Sequence, residues 1–207
     1  MDESRILLNG RGDASHRLVL AHGAGAPMDS EFMNVIAEGV AARGIQVVRF
    51  EFPYMHRRRE DGKKRPPDRQ TVLEDTWRTV AAWANSGARL FIGGKSMGGR
   101  MASMLADELD VCGLLCLGYP FHPPGRPERL RVAHLEDLQT PTLMLQGTRD
   151  TLGNKEEVSG YTLSEKIGVH WLEDGDHSLK PRVKSGRTLD DNLQETIQAM
   201  AQFIEEH

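Results

Sequence analysis

Apolar positions along this chain fall into short continuous runs separated by stretches with helical spacing. Arg17-Leu18-Val19-Leu20-Ala21, Gln46 to Phe52, Arg89 to Gly93, Val111 to Gly118, Thr142 to Gly147 and Val169 to Leu172 are apolar runs of strand length. Residues 4–8 read as a further strand at a sheet edge. Between the runs, helical patterns are predicted at about 30–43 (capped by Ser30 or Asp29 and ended by Gly44), 70–85, 97–108, 154–166 and 188–205. Runs buried on both faces, alternating with helices, predict a mostly parallel α/β sheet with helices on both faces. Residues 54–69 read as a loop. The proline-rich segment 119–140 holds one short helical stretch, too little for a separate cap domain.

The run ending at Gly93 leads into Gly94-Lys95-Ser96-Met97-Gly98-Gly99, and a helical pattern follows. Strand, sharp turn and helix around G-x-S-x-G are what a nucleophile elbow requires. The turn forces the serine into a strained backbone conformation, and glycines flank it where side chains would clash. Ser96 is therefore the candidate nucleophile, and the Met97 N–H that follows is a candidate oxyanion donor.

A serine needs a histidine to take its proton and a carboxylate to orient that histidine. Asp150 follows the strand-like run 142–147, and His177 follows the run 169–172, separated by 54 residues from Ser96 to Asp150 and 27 from Asp150 to His177. Each gap accommodates a βα unit or two, which puts all three groups on one sheet edge. Asp174 and Asp176 stand so close to His177 in sequence that shaping its loop suits them better than orienting its ring. The second oxyanion donor is read from His22-Gly23-Ala24-Gly25-Ala26, with Ala24 preferred and Gly25 next. Gly25, His22, Lys95 and His122 are the further candidates for contact with substrate. His22 is also expected to shape its own loop, and His122, just past a strand end, suits a structural loop role equally well.

These four motifs, H-G-A-G-A, G-K-S-M-G-G, Q-G-T-R-D and D-G-D-H-S, make the chain resemble an α/β-hydrolase from about Arg17 to its C-terminus. More closely, it resembles a branch of small, lid-poor hydrolases related to dienelactone hydrolase. The resemblance implies a Ser96–His177–Asp150 triad acting on an ester-like acyl bond. Some eukaryotic relatives in that branch look like subunits of chromatin-modifying assemblies, which implies a second role, an interaction scaffold without chemistry. Thioesterase or peptidase activity on the same triad is not separable by sequence. Lys95 departs from the His, Tyr or Phe that many hydrolases place before the serine.

Two phosphate-binding readings fail. A P-loop ending at Gly94-Lys95-Ser96 needs glycine at 89, which is arginine, and a dinucleotide fingerprint starting at Gly23 needs glycine at 28, which is methionine. No cofactor is expected, and the histidine spacings suit no metal. The chain has 207 residues and a net charge of −4, which fits one domain spanning 1–207 and gives no general case for nucleic-acid binding. Without a long apolar segment, neither membrane insertion nor a signal peptide is expected, and the reading is cytoplasmic. Cys112 and Cys116 are expected as buried thiols on one face of a strand, ~13 Å apart and so beyond disulfide reach. Residues 54–69 carry seven Lys or Arg against three acids, and Lys180, Arg182, Lys184 and Arg187 follow His177. They read either as solvated loops or as a basic rim for an anionic form of the expected small-molecule acyl substrate.

Overall fold

The structure, a computed structural model, describes residues 5–207. Seven strands form one sheet: β1 (Ile6–Asn9), β2 (His16–Ala21), β3 (Gln46–Phe50), β4 (Arg89–Lys95), β5 (Gly113–Leu117), β6 (Thr142–Gly147) and β7 (Ile167–Leu172). Their spatial order is β1-β3-β2-β4-β5-β6-β7, with β1 antiparallel at the edge and all other pairs parallel. Six helices accompany them: α1 (Glu31–Ala41), α2 (Pro53–Asp61), α3 (Gln70–Ala84), α4 (Met97–Ser103), α5 (Lys155–Val158) and α6 (Leu189–Glu206).

Two apolar layers cover the sheet. On one face, α1 presents Met33, Ile36, Ala37 and Val40, and α6 presents Leu193, Ile197, Met200, Ala201 and Ile204. On the other, α3 buries Leu73, Trp77, Val80 and Ala84, and α4 buries Met101 and Ala102. The spacing on each helix is the three-and-four repeat of a single buried stripe. Strands β3 and β5 are buried at every position, as a parallel sheet covered on both faces demands.

The crossover after β2 runs through α1 on one face, and the crossover after β4 runs through α4 on the other. Chain order therefore reverses between β2 and β4, and a crevice opens there at the carboxyl ends of the strands. Both the glycine-rich loop after β2 and the elbow after β4 border that crevice.

Several boundaries differ from the sequence reading. Strand β1 covers 6–9, and residue 4 of the expected strand lies outside the described residues. Residues 53–61 form α2 and not a loop: Pro53 takes the first helical position and Gly62, at φ 70°, closes the helix. The charged surface of this helix hid it from a search for an apolar stripe. Helix α4 ends at Ser103 and passes into turns up to Asp110, whose φ is 49°. The helix expected over 154–166 is one turn only. Asn154 and Glu157 cap it reciprocally, and then Ser164 bonds the Leu135 and Leu138 carbonyls and draws the chain away. Cys112 precedes β5 and is half-buried against the α1–α6 layer, whereas Cys116 is buried in the opposite layer. The expected shared face fails because Cys112 falls one residue before β5 begins, outside the strand's alternation.

Gly93 faces β5 so closely that a Cβ atom there would stand 2.2 Å from the Leu115 carbonyl oxygen. The neighbour is backbone in the middle of a sheet and has no room to yield. Gly93→Ala is therefore expected to lower stability by about 3 kcal/mol, read as a lower urea midpoint at unchanged slope.

Candidate active site

Ser96 sits between β4 and α4 at φ 51°, ψ −114°, a left-handed conformation uncommon for a residue with a side chain. Its N–H donates to the Leu117 carbonyl of β5 at 2.9 Å, and its carbonyl accepts from Arg100 N–H at 2.9 Å. A Cβ at Gly94 would lie 2.7 Å from the Ala21 carbonyl oxygen, and one at Gly98 would lie 2.6 Å from that of His22. Only glycine at both positions lets the turn close.

Three sheet strands deliver three side chains to one point. Ser96 Oγ lies 2.9 Å from His177 Nε2, and His177 Nδ1 lies 2.8 Å from Asp150 Oδ2. A carboxylate only accepts, so Nδ1 carries the proton and Nε2 is the acceptor for the serine hydroxyl. The arrangement is that of an oxygen nucleophile, a base and the group that orients the base.

Asp150 is fully buried. Its Oδ1 accepts from Leu152 N–H at 2.8 Å, and Oδ2 accepts from Gln146 Nε2 at 3.0 Å as well as from the histidine. Gln146 in turn accepts from Tyr119 N–H at 2.7 Å and donates to the Gly153 carbonyl at 3.0 Å. This glutamine stands near the end of β6 and fixes the carboxylate. Sequence reading quoted it within Q-G-T-R-D without giving it a role, although a polar residue closing the apolar run Thr142–Leu145 was the available signal. Asp174 and Asp176 do not reach the imidazole from the acid side. Asp174, at φ 53°, accepts from the Arg182 backbone at 2.7 Å and pairs with the Arg182 guanidinium, while Asp176 Oδ1 accepts from the Ser178 and Lys180 N–H groups. Both shape the histidine loop.

The loop after β2 is held from behind. His22 is buried, donating through Nδ1 to the Gly23 carbonyl at 2.7 Å and accepting at Nε2 from Phe52 N–H at 3.1 Å. Tyr54 of α2 donates to the Ala24 carbonyl at 3.0 Å, and Arg58 of α2 donates to the Gly25 carbonyl at 3.2 Å. In a trans peptide the N–H points opposite to the carbonyl before it. Tying back the carbonyls of Gly23 and Ala24 therefore turns the N–H groups of Ala24 and Gly25 the other way.

A cavity of about 370 Å³ lies beside Ser96. Ala24, Gly25, Phe32, Lys95, Ser96 and His177 are among the residues that line it. His22 and His122 do not. His22 has both ring nitrogens engaged inside the fold. His122 is buried beside Pro123, whose carbonyl its Nδ1 meets at 3.0 Å, and its Nε2 points towards Glu157. The expectation that these two contact substrate is corrected accordingly.

Lys95 is among the residues lining this cavity, and its ammonium is turned to the histidine loop. Nζ donates to the His177 carbonyl at 2.6 Å and stands 5.8 Å from the Phe32 ring centre. Burial pushes this ammonium down to about 8, against the smaller opposing pull of Asp150 and Asp176. Three of the seven basic side chains of this segment are paired with acids: Arg59 holds Asp29 and Glu51, Arg57 holds Asp68, and Arg65 holds Asp61. Among the described residues no group of three or more His, Cys, Asp or Glu side chains is placed to hold a metal.

A doubly covered parallel sheet, a strained serine at its topological switch point and no cap domain define an α/β-hydrolase fold. The chain belongs to the alpha/beta hydrolase domain family, which it matches over residues 14–205. Dienelactone hydrolase from Anabaena variabilis superposes with a TM-score of 0.75 at 17% identity, covering 98% of this chain and 91% of that one. An alpha-beta serine hydrolase homologue from Coxiella burnetii gives 0.73 at 16% identity, covering 95% and 89%. XC6422 from Xanthomonas campestris, described as a serine hydrolase without lid, gives 0.67 at 21% identity, covering 94% and 88%. Among the described residues no helix is long and apolar enough to cross a membrane.

The depressed Lys95 ammonium fixes the sign of a pH effect. Between about 8 and its ordinary 10.5 the unfolded chain binds more protons at this site than the folded one, so stability rises with pH across that window. Lys95→Met removes the contribution. Urea midpoints measured at pH 7, 8.5 and 9.5 are expected to show the native protein gaining on the variant as pH increases.

Proposed function

We propose that the protein is a serine hydrolase that cleaves an ester-like acyl bond through an acyl-enzyme. The observation that carries this reading is the continuous chain Ser96 Oγ–His177 Nε2, His177 Nδ1–Asp150 Oδ2, built on a serine held at positive φ. Ser96 Oγ attacks the acyl carbon while Nε2 takes its proton. The tetrahedral adduct collapses, the bond to the leaving group breaks, and the imidazolium returns the proton to the departing oxygen. Water then repeats the sequence on the acyl-serine and frees the acid. Asp150 keeps the productive tautomer and balances the imidazolium charge. The N–H groups of Met97 and Ala24 are assigned to the oxyanion. Met97 opens α4, so its N–H has no acceptor within the helix, and Ala24 N–H is turned by the carbonyl ties already described.

The absence of a cap over the cavity favours short or accessible acyl groups. Support for ester chemistry also comes from structures of similar fold, among them an esterase domain from Rhodothermus marinus and Est1E from Butyrivibrio proteoclasticus with ferulic acid bound. Gly25 and Lys95 are assigned to contact with the substrate.

A fluorophosphonate probe followed by intact-mass measurement tests the reading. One adduct on the native protein and none on Ser96→Ala is expected, and no adduct on either would leave the fold as an interaction scaffold. With p-nitrophenyl esters, Ser96→Ala is expected to lose at least ~10³-fold in kcat, and Asp150→Asn about 10³- to 10⁴-fold, because the amide favours the wrong tautomer.

A further inference from the structure

Lys95 closes β4 opposite Leu117 of β5, so Gly118 comes next on the neighbouring strand end. A Cβ built on Gly118, whose φ is 61°, would stand 2.9 Å from Lys95 Nζ, 2.9 Å from the His177 carbonyl oxygen and 3.5 Å from His177 Nδ1. Glycine at 118 therefore leaves open the space in which the lysine and the histidine meet. Its N–H donates to the Leu145 carbonyl of β6 at 2.8 Å, and the Tyr119 N–H that follows donates to Gln146 at 2.7 Å. Three strand ends thus fix the meeting place.

Across this space Lys95 Nζ donates to the His177 carbonyl at 2.6 Å. Among the described residues that is the one hydrogen bond made by the main chain of residue 177: no other donor reaches its carbonyl, and its N–H meets no acceptor. The rest of the histidine loop is tied to itself through Asp174 and Asp176, to Thr148 and Arg149 beside Asp150, and to Asn192 of α6. Among the described residues only the lysine bonds the loop's main chain to the strand that carries the nucleophile.

The tie is made with a charge that the fold does not otherwise use. Among the described residues no carboxylate lies within 4 Å of this ammonium, and its second neighbour is the Phe32 ring. A cation withdrawn from water and met by one carbonyl and one aromatic ring lowers stability. An apolar side chain of similar length would fill the same room at less cost. What the charge adds is local: an ionised donor holds a carbonyl more tightly than a neutral one.

We propose that Lys95 is a positioning residue for the hydrolysis: its ammonium holds the main chain of His177 where Nε2 reaches Ser96 Oγ. The role rests on the hydrolase reading. The imidazole hangs from that main chain, and Nε2 must meet first the serine and then the leaving group, so a displacement of about 1 Å costs on the order of 10²-fold in rate. The titratable groups facing the ammonium are Asp150 from the loop after β6, and Asp176 and His177 from the histidine loop. The glycine loop, α1 and the end of β5 bring the uncharged Gly23, Phe32 and Gly118 against the side chain. Loss of the lysine proton, which burial brings down to about 8, leaves a weaker neutral donor on the same carbonyl.

Steady-state cleavage of p-nitrophenyl acetate and the rate of fluorophosphonate labelling, measured on the native protein, Lys95→Met and Lys95→Gln, test the role. Each variant is first shown to be folded by its urea transition, and Lys95→Gln decides the matter if Lys95→Met does not fold. In the variants kcat and kcat/KM are expected to fall together at least ~10-fold, with KM within about twofold of native and labelling slowed in proportion. Between pH 7 and 9.5 the native kcat is expected to decline from about 8 upwards, as the ammonium loses its proton, and the Lys95→Met profile to lack that decline. A raised KM at unchanged kcat would make Lys95 a substrate contact and overturn the positioning role. Alkaline profiles of the same shape in native and variant overturn it too. A folded variant labelled as fast as native overturns it while leaving the hydrolase reading in place. A native protein that takes no fluorophosphonate and cleaves no ester removes the hydrolase reading and this role with it.

Discussion

The close approach of backbone to backbone where β2, β4 and α4 meet is the constraint on which the molecule depends. A Cβ at Gly94 would strike Ala21, one at Gly98 would strike His22, and one at Gly99 would stand 2.5 Å from the Gly94 carbonyl oxygen. Removing these side chains lets a helix start directly beneath two strand ends. It also forces the turn between them into the left-handed region, and Ser96 is the residue left there. Strain at this position is tolerated because neighbours on every side over-determine it: β5 takes its N–H, α4 takes its carbonyl, and β2 walls off the alternatives.

Outside this crossing, position is set by polar groups that the site's chemistry does not consume. Gln146 spends its amide on Asp150, Tyr119 and Gly153, so the carboxylate is held in one orientation. Lys95 ties the end of β4 to the histidine carbonyl, and Asp174 ties the histidine loop to Arg182. Each is a buried or half-buried polar side chain with its demand met locally, which fixes geometry more strongly than it adds stability.

The sheet and the Ser96, Asp150 and His177 positions were legible because they rest on short-range rules: apolar runs of strand length, glycines around a turn, and side chains at strand ends. What was not legible depends on distant partners. Helix α2 has Pro53 and Gly62 as start and stop signals, but its buried Tyr54 and Met55 make no stripe that periodicity detects. The expected helix beyond Val158 loses to hydrogen bonds from Ser164 to a segment some twenty-five residues earlier. His22 and His122 were placed near the substrate because of their neighbours in sequence, whereas burial and their hydrogen-bond partners decide where the rings go. The pairing of Arg57, Arg59 and Arg65 with acids was hidden in the same way, so part of the segment's positive charge is spent inside the fold.

The carbonyls of Ala24 and Gly25 hang on Tyr54 and Arg58, and the start of α2 is pinned again where Asp68 accepts from the Tyr54 N–H at 2.8 Å. The arginine-rich segment is thus a strut between the third strand and the glycine loop, with a fixed span at both ends. Its freedom to grow or shrink over evolutionary time is confined to the exposed tip around 62–67. Insertions there leave both anchors in register, while a single residue added between Tyr54 and Arg58 rotates them about 100° relative to one another. Length variation among relatives of this chain should therefore be punctuated, free at the tip and silent along the helix.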